Sequence, residues 1–173
     1  MHSKKGDKRF SIEKLIVRNL KGICNYKNRV TRVFTKEIIP NYPGYKFDIF
    51  LCYDTDVFEF SQNPPVDWSA VEKSLKDGGA ENIYHIKARK SIEDWLLNDV
   101  EGICRHLRLQ SPKKINGSNG LKKIENLFKR VNKIYIKGES AKGLIDSLNI
   151  QKVMCTNCFQ IKHLCKLLGV ECK

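Results

Sequence analysis

Apolar and polar positions change period along this chain, and the changes mark out its elements. Phe10, Leu15, Ile16, Val17 and Leu20 recur at near-helical spacing behind Ser11, a residue suited to an N-cap, which predicts a helix over 10–20. Residues 29–35 alternate apolar with polar and are rich in β-branched side chains, which predicts a strand. Pro40-Asn41-Tyr42-Pro43-Gly44 is turn chemistry. Phe47-Asp48-Ile49-Phe50-Leu51-Cys52-Tyr53 is the most apolar run; short and abruptly ended by Asp54-Thr55-Asp56, it reads as a buried central strand with acidic groups at its carboxyl end. After Asn63-Pro64-Pro65, residues 67–76 predict a helix stopped by Gly78-Gly79, and 82–86 a short strand. A helical region from Ser91, its N-cap, to Leu109 ends near Ser111-Pro112; a loop over 113–120 and a helix over 121–130 follow. Residues 134–136 read as a strand, and 140–148 and 159–168 as two further helical pieces. Strands alternating with helices of about ten residues predict an α/β fold with a mainly parallel sheet flanked by helices. One domain over 1–173 is expected, with 110–173 a basic loop and helical C-terminal extension.

Composition narrows the class. No apolar run approaches the roughly 18 residues of a membrane span. No apolar segment of the signal-peptide kind follows the basic start Met1 to Arg9, so the expected compartment is the cytoplasm, with no membrane partner. Seven cysteines, an odd number in a chain of 173 residues, suggest reduced and mostly buried thiols. The net charge of +13 is unevenly placed: residues 1–36 carry +9, 37–104 carry −7 and 105–142 carry +9. An acidic middle between basic flanks suits an enzyme that holds divalent cations with carboxylates and a polyanion with Lys and Arg. A basic surface serving solubility, or binding an acidic protein, has the same composition.

Asp54-x-Asp56 is the sharpest chemical signal. Sites in open α/β sheets form beyond the carboxyl ends of strands. Two acids spaced in this way can face one cleft, and Mg²⁺ takes one or two carboxylates plus phosphate oxygens. A bare pair of this kind is equally a solvated loop or a set of Asx turns. Its place after the apolar run is what raises it. Glu93, in the first turn of the helix opened by Lys90-Ser91-Ile92-Glu93-Asp94-Trp95, can point to the same cleft, while Ser91 with Asp94 gives a capping-box-like start.

A strand ending in Asp54-x-Asp56, then a helix and a strand, then Ser91-x-Glu93-x-Trp95, resembles the topoisomerase–primase (TOPRIM) domain over roughly residues 6–109. The closer likeness is to its small nuclease branch, the OLD-type and RloB-like proteins of phage defence. That resemblance implies a Rossmann-like parallel sheet, Mg²⁺ or Mn²⁺ at the strand ends, and cleavage or rejoining of DNA or RNA. It assigns Asp54 and Asp56 to the metal-binding acids and Glu93 to the third acid. The domain's opening strand normally ends in Glu-Gly. Here Lys5-Gly6 looks like that segment with lysine at the glutamate position, and Ile134-Tyr135-Ile136-Lys137-Gly138-Glu139-Ser140-Ala141 repeats the exchange after the acidic pair. Glu139 or Glu13 is available as a substitute.

Two further patterns add candidates. Lys113-Lys114 and Lys122-Lys123 bracket a Gly/Ser/Asn loop before a helix, a setting for phosphate, though it lacks the Walker spacing and is equally a flexible surface loop. With Arg29 and Arg32 on the N-terminal flank, these lysines are the candidate nucleic-acid contacts. Cys155-x-x-Cys158 with His163 and Cys165 admits zinc, although the spacing matches no standard site and the segment also reads as an amphipathic helix. The functional expectation is a metal-dependent nuclease with Asp54, Asp56 and Glu93 at its centre. The alternative is a catalytically inactive TOPRIM-derived binder from a phage or mobile element, inhibiting a nucleic-acid enzyme or defence nuclease in the manner of an anti-CRISPR. Its partner would then be a protein or protein–nucleic-acid complex.

Overall fold

The computed structural model describes residues 13–56 and 66–168. Among these residues two strands, β1 (Phe47–Asp54) and β2 (Ala80–Ala88), pair in parallel through the connecting helix α1 (Trp68–Asp77), which makes them α/β around a two-stranded parallel sheet. The Asp67 side chain accepts the Ala70 N–H at 3.1 Å and caps α1, a contact worth about 1 kcal/mol. Gly78 and Gly79 end α1, as the sequence predicts. Register sets Leu51 opposite His85, Phe50 opposite Tyr84 and Asp54 opposite Ala88. Leu51 and Tyr53 are buried on one face, whereas Asp48 and Cys52 on the other are exposed. The apolar run is therefore a half-buried strand and not one covered on both sides.

After β2 come α2 (Ile92–Leu96), α3 (Val100–Leu107), α4 (Gly120–Lys129), α5 (Ala141–Ile145), α6 (Ile150–Thr156) and α7 (Cys158–Leu167). The helix expected over 91–109 is thus two α-helices with a 3₁₀ turn at Leu97–Asp99 between them, ending at Arg108 in the left-handed region. Asn119 and Asn149 cap α4 and α6 by accepting the N–H groups of Lys122 and Lys152, each at 2.9 Å. None of the helices among the described residues is long and apolar enough to cross a membrane.

The fold departs from the sequence pattern in three places. Residues 13–20 form no helix: Leu15 and Val17 are exposed and only Leu20 is buried. An isolated apolar stripe with nothing to pack on does not stabilise so short a helix. The expected residues Phe10 to Ile12 lie outside the described range. Residues 29–35 are helical and not a strand, with wide π-type turns over Tyr26–Val30 and Val33–Ile38. Tyr26, Val30, Val33 and Phe34 are all buried, a spacing of four, three and one that a helix presents on one side; that burial overrides β propensity. Residues 134–136 join no sheet among the described residues.

Two apolar clusters hold the elements together. The first places Leu51 and Tyr53 of β1 against Val71 and Leu75 of α1 and against Tyr26, Val30 and Phe34. The second joins Leu96, Ile103 and Leu107 to Ile124, Leu127 and Phe128 of α4, with Tyr135 and Leu144. The other face of the sheet carries Phe50 stacked on Tyr84, and Tyr84 stacked on His163 of α7.

Buried Asp99 ties the helical half together. Its carboxylate accepts the Asn149 N–H at 2.7 Å, pairs with Lys152 at 3.6 Å, and lies so close over Gly102 that a Cβ there would meet it. Burial alone would raise its pKa. The backbone N–H groups of Asn149 and Gly102 and the Lys152 ammonium more than offset that, and the net value lies below the ordinary 3.8. A depressed carboxylate stabilises the fold fully above its unfolded value, and that contribution is lost as pH falls through the folded one. Asp99→Ala is expected to cost about 2–4 kcal/mol, by orphaning buried N–H groups and an ion-pair partner. Urea unfolding at pH 7 measures the loss, and the gap to wild type should narrow in acid.

Candidate functional site

The carboxyl end of β1 meets the second apolar cluster at a group of charged side chains. Asp54 leaves the sheet where β1 ends, opposite Ala88. Its Oδ1 accepts the Ile92 N–H at 3.0 Å, so Asp54 satisfies a free N–H at the start of α2 from 38 positions away in sequence. Ser91 does not cap that helix; its hydroxyl donates to Asp94 Oδ2 at 2.8 Å, which settles the acid three residues on as structural. Thr55 and Asp56 N–H groups both donate to the Lys90 carbonyl, holding the two turns side by side.

Glu93 is fully buried, and Tyr135 donates to its Oε1 at 3.2 Å. Lys137 reaches in from the C-terminal half. Its ammonium lies 2.7 Å from Asp54 Oδ2 and 3.4 Å from Glu93 Oε2, with the lysine side chain half exposed and that of Asp54 mostly covered. Lys137 is aimed by the turn that follows it. Gly138 takes φ 85°, a conformation that favours glycine, the Ile136 carbonyl accepts the N–H groups of Glu139 and Ser140, and the Ile136 N–H donates to Ser140 Oγ.

Burial alone would lower the Lys137 pKa, but the hydrogen bond and charge of Asp54, with Glu93 behind it, bring the net value above the ordinary 10.5. Burial also raises the Tyr135 phenol, and the adjacent Glu93 charge raises it further. At neutral pH Lys137 is therefore an ammonium and Tyr135 a neutral phenol donor.

The structure brings Asp54 and Glu93 together and leaves Asp56 apart: its carboxylate is half exposed and has no hydrogen bond or ion pair among the described residues. Lys137 and Tyr135 are the members that sequence reasoning left out of the site. Their signal was the Ile134-to-Ser140 segment, read there as a misplaced opening strand. Glu139 is exposed and makes no ion pair among the described residues.

A divalent cation suits the pair chemically. Glu93 Oε2 is a buried carboxylate oxygen whose one near partner is the Lys137 ammonium at 3.4 Å, and Asp54 Oδ2 is held by the same lysine, which can turn toward solvent. Two carboxylates suffice where phosphate and water complete the shell. No set of three His, Cys, Asp or Glu side chains among the described residues gathers around one point. The zinc candidates illustrate this: His163 is exposed and stacks on Tyr84, Cys165 is buried, Cys155 is half-buried and Cys158 is disulfide-bonded. Thiol burial is mixed, with Cys104 and Cys165 inside but Cys24 and Cys52 exposed.

Of the basic candidates, Lys113, Lys114 and Lys123 line one cleft, whereas Lys122 pairs with Glu125 at 2.8 Å. Arg29 is half-buried and Arg32 exposed on the N-terminal helical segment, and neither lines that cleft. Comparison with protein-family models, curated proteins and solved structures finds no match for the chain.

Proposed function

We propose that the chain acts on nucleic acid as a small TOPRIM-like, metal-assisted nuclease, with Asp54, Glu93 and Lys137 as its reaction centre. One observation carries the reading: two carboxylates and a lysine from three distant stretches of chain converge at the carboxyl end of a parallel strand. Mg²⁺ or Mn²⁺ would be held by Asp54 and Glu93, and would supply charge stabilisation to a phosphodiester oxygen. Asp54 is held in place by the Ile92 N–H on one carboxylate oxygen and the Lys137 ammonium on the other. Lys137, half exposed, is free to turn from the acids to a phosphate oxygen, as a point-charge phosphate ligand does. Tyr135 orients Glu93 through its hydroxyl. The Rossmann-like TOPRIM arrangement belongs to this reading, as does a cytoplasmic setting.

The second reading is a TOPRIM-derived binder that does not cut, such as a phage or mobile-element inhibitor of a defence nuclease. It is favoured by the place of the Lys137 ammonium, between the two carboxylates where a bridging cation would act. The test is cleavage of plasmid DNA, single-stranded DNA and structured RNA with Mn²⁺, Mg²⁺ or EDTA. Metal-dependent cutting supports the nuclease. Salt-sensitive binding without cutting in any metal overturns it in favour of the binder.

A further inference from the structure

Beyond the reaction centre, a cleft of about 580 Å³ opens between the start of α3, the loop 111–115, α4 and α6. Ligand sites usually fall between roughly 300 and 1,000 Å³, so its size suits one nucleotide and not a single ion. Lys113, Lys114, Lys123 and Lys152 line it, against Glu101 as its one acid. Lys152 is held by Asp99, but the ammonium groups of Lys113, Lys114 and Lys123 have no hydrogen-bond or ion-pair partner among the described residues. Three uncompensated ammonium groups on one concavity repel one another, and an entering anion relieves that repulsion. Leu97, Val100 and Ile115 line the cleft as well and offer a flat ring or sugar an apolar surface to lie on. Leu97 follows Glu93 by four residues, about 6 Å of helix, so the cleft begins about one turn from the reaction centre.

We infer that this cleft seats one nucleotide of a single strand, its phosphates on Lys113, Lys114 and Lys123 and its base against Leu97, Val100 and Ile115. The inference rests on the nucleic-acid reading above and adds a subsite to it. An accessible base requires an unpaired strand, so single-stranded nucleic acid is the preferred substrate.

The test is fluorescence anisotropy of a labelled 12-nucleotide single strand, as DNA and as RNA, in EDTA so that no cutting intervenes. Lys113→Gln/Lys114→Gln/Lys123→Gln is expected to weaken binding at least about tenfold at 0.1 M salt, and to lower the log–log salt slope by about 2. Lys36→Gln/Lys73→Gln/Lys166→Gln, with the same change in charge on exposed lysines outside the cleft, should stay within about threefold of wild type. Equal losses in the two triple variants, or an unchanged cleft variant, would overturn the inference. So would a cleft that holds pyrophosphate while the strand binds unaffected by the cleft substitutions. Binding through the cleft without cutting in any metal would overturn the nuclease reading alone.

Discussion

Asp54→Asn should remove metal-supported cleavage while leaving the chain folded. The asparagine carbonyl still accepts the Ile92 N–H, so the start of α2 keeps its partner. What is lost is the negative charge that faces Lys137 and would hold the cation. Removing a group that stabilises developing charge typically costs about 10²–10³ in rate, or ~3–4 kcal/mol of barrier. Asp54→Ala loses the same charge and also the helix-start contact, so it should add a stability loss of about 1 kcal/mol. The comparison of the two variants therefore separates chemistry from folding. Cleavage rates with Mn²⁺ and unfolding midpoints, measured on the same preparations, provide it. Cutting by Asp54→Asn at the wild-type rate would remove Asp54 from the reaction.

Lys137→Met should destabilise the chain more than its half-exposed position suggests. The variant leaves Glu93 fully buried, with the Tyr135 hydroxyl as its remaining partner. Breaking a wholly buried pair costs about 3–5 kcal/mol. Because the ammonium reaches solvent, about 1–3 kcal/mol is expected here. Lys137→Met/Glu93→Gln removes the stranded charge and should recover most of the loss. A coupling of at least about 1 kcal/mol in that cycle identifies the pair as the cause. The pH dependence has a definite sign. Lys137 titrates above its ordinary 10.5 in the folded chain, so its contribution is complete below that value and disappears as pH rises through the folded one. Urea unfolding of wild type and Lys137→Met should thus differ by a constant amount from pH 6 to 9 and converge in strong alkali. The same variant bears on function, since losing the resident ammonium opens the acid pair. Mn²⁺ should raise the Tm of Lys137→Met more than that of wild type, by the mass-action stabilisation of a ligand that binds only the folded state.

The run 47–53 with its acidic end, the helix behind Asp67, the glycine stop at 78–79 and the strand at 82–86 were all legible, because each rests on local signals: period, cap and breaker. The same signals brought Asp54 to a strand end and Glu93 into the first turn of a helix. The pattern misleads at residues 13–20 and 29–35 for a related reason. Apolar spacing says which face is oily but not whether anything lies opposite it. Leu15 and Val17 found no cover, while Val30, Val33 and Phe34 found the buried face of β1 and α1 and became helical.

By itself, then, the sequence determined a parallel β–α–β unit ending in an acid, a helix start carrying a second acid, and basic flanks suited to a polyanion. Only the tertiary structure decided which acids meet. Lys137 lies 83 residues from Asp54, and Tyr135 lies 42 from Glu93. Contacts at such separations leave no period in the chain, because they depend on how the second apolar cluster docks against the end of β1. That docking selected Glu93 over Asp56, gave both carboxylates a shared ammonium, and gathered three of the four loop lysines around one cleft while Lys122 turned to Glu125.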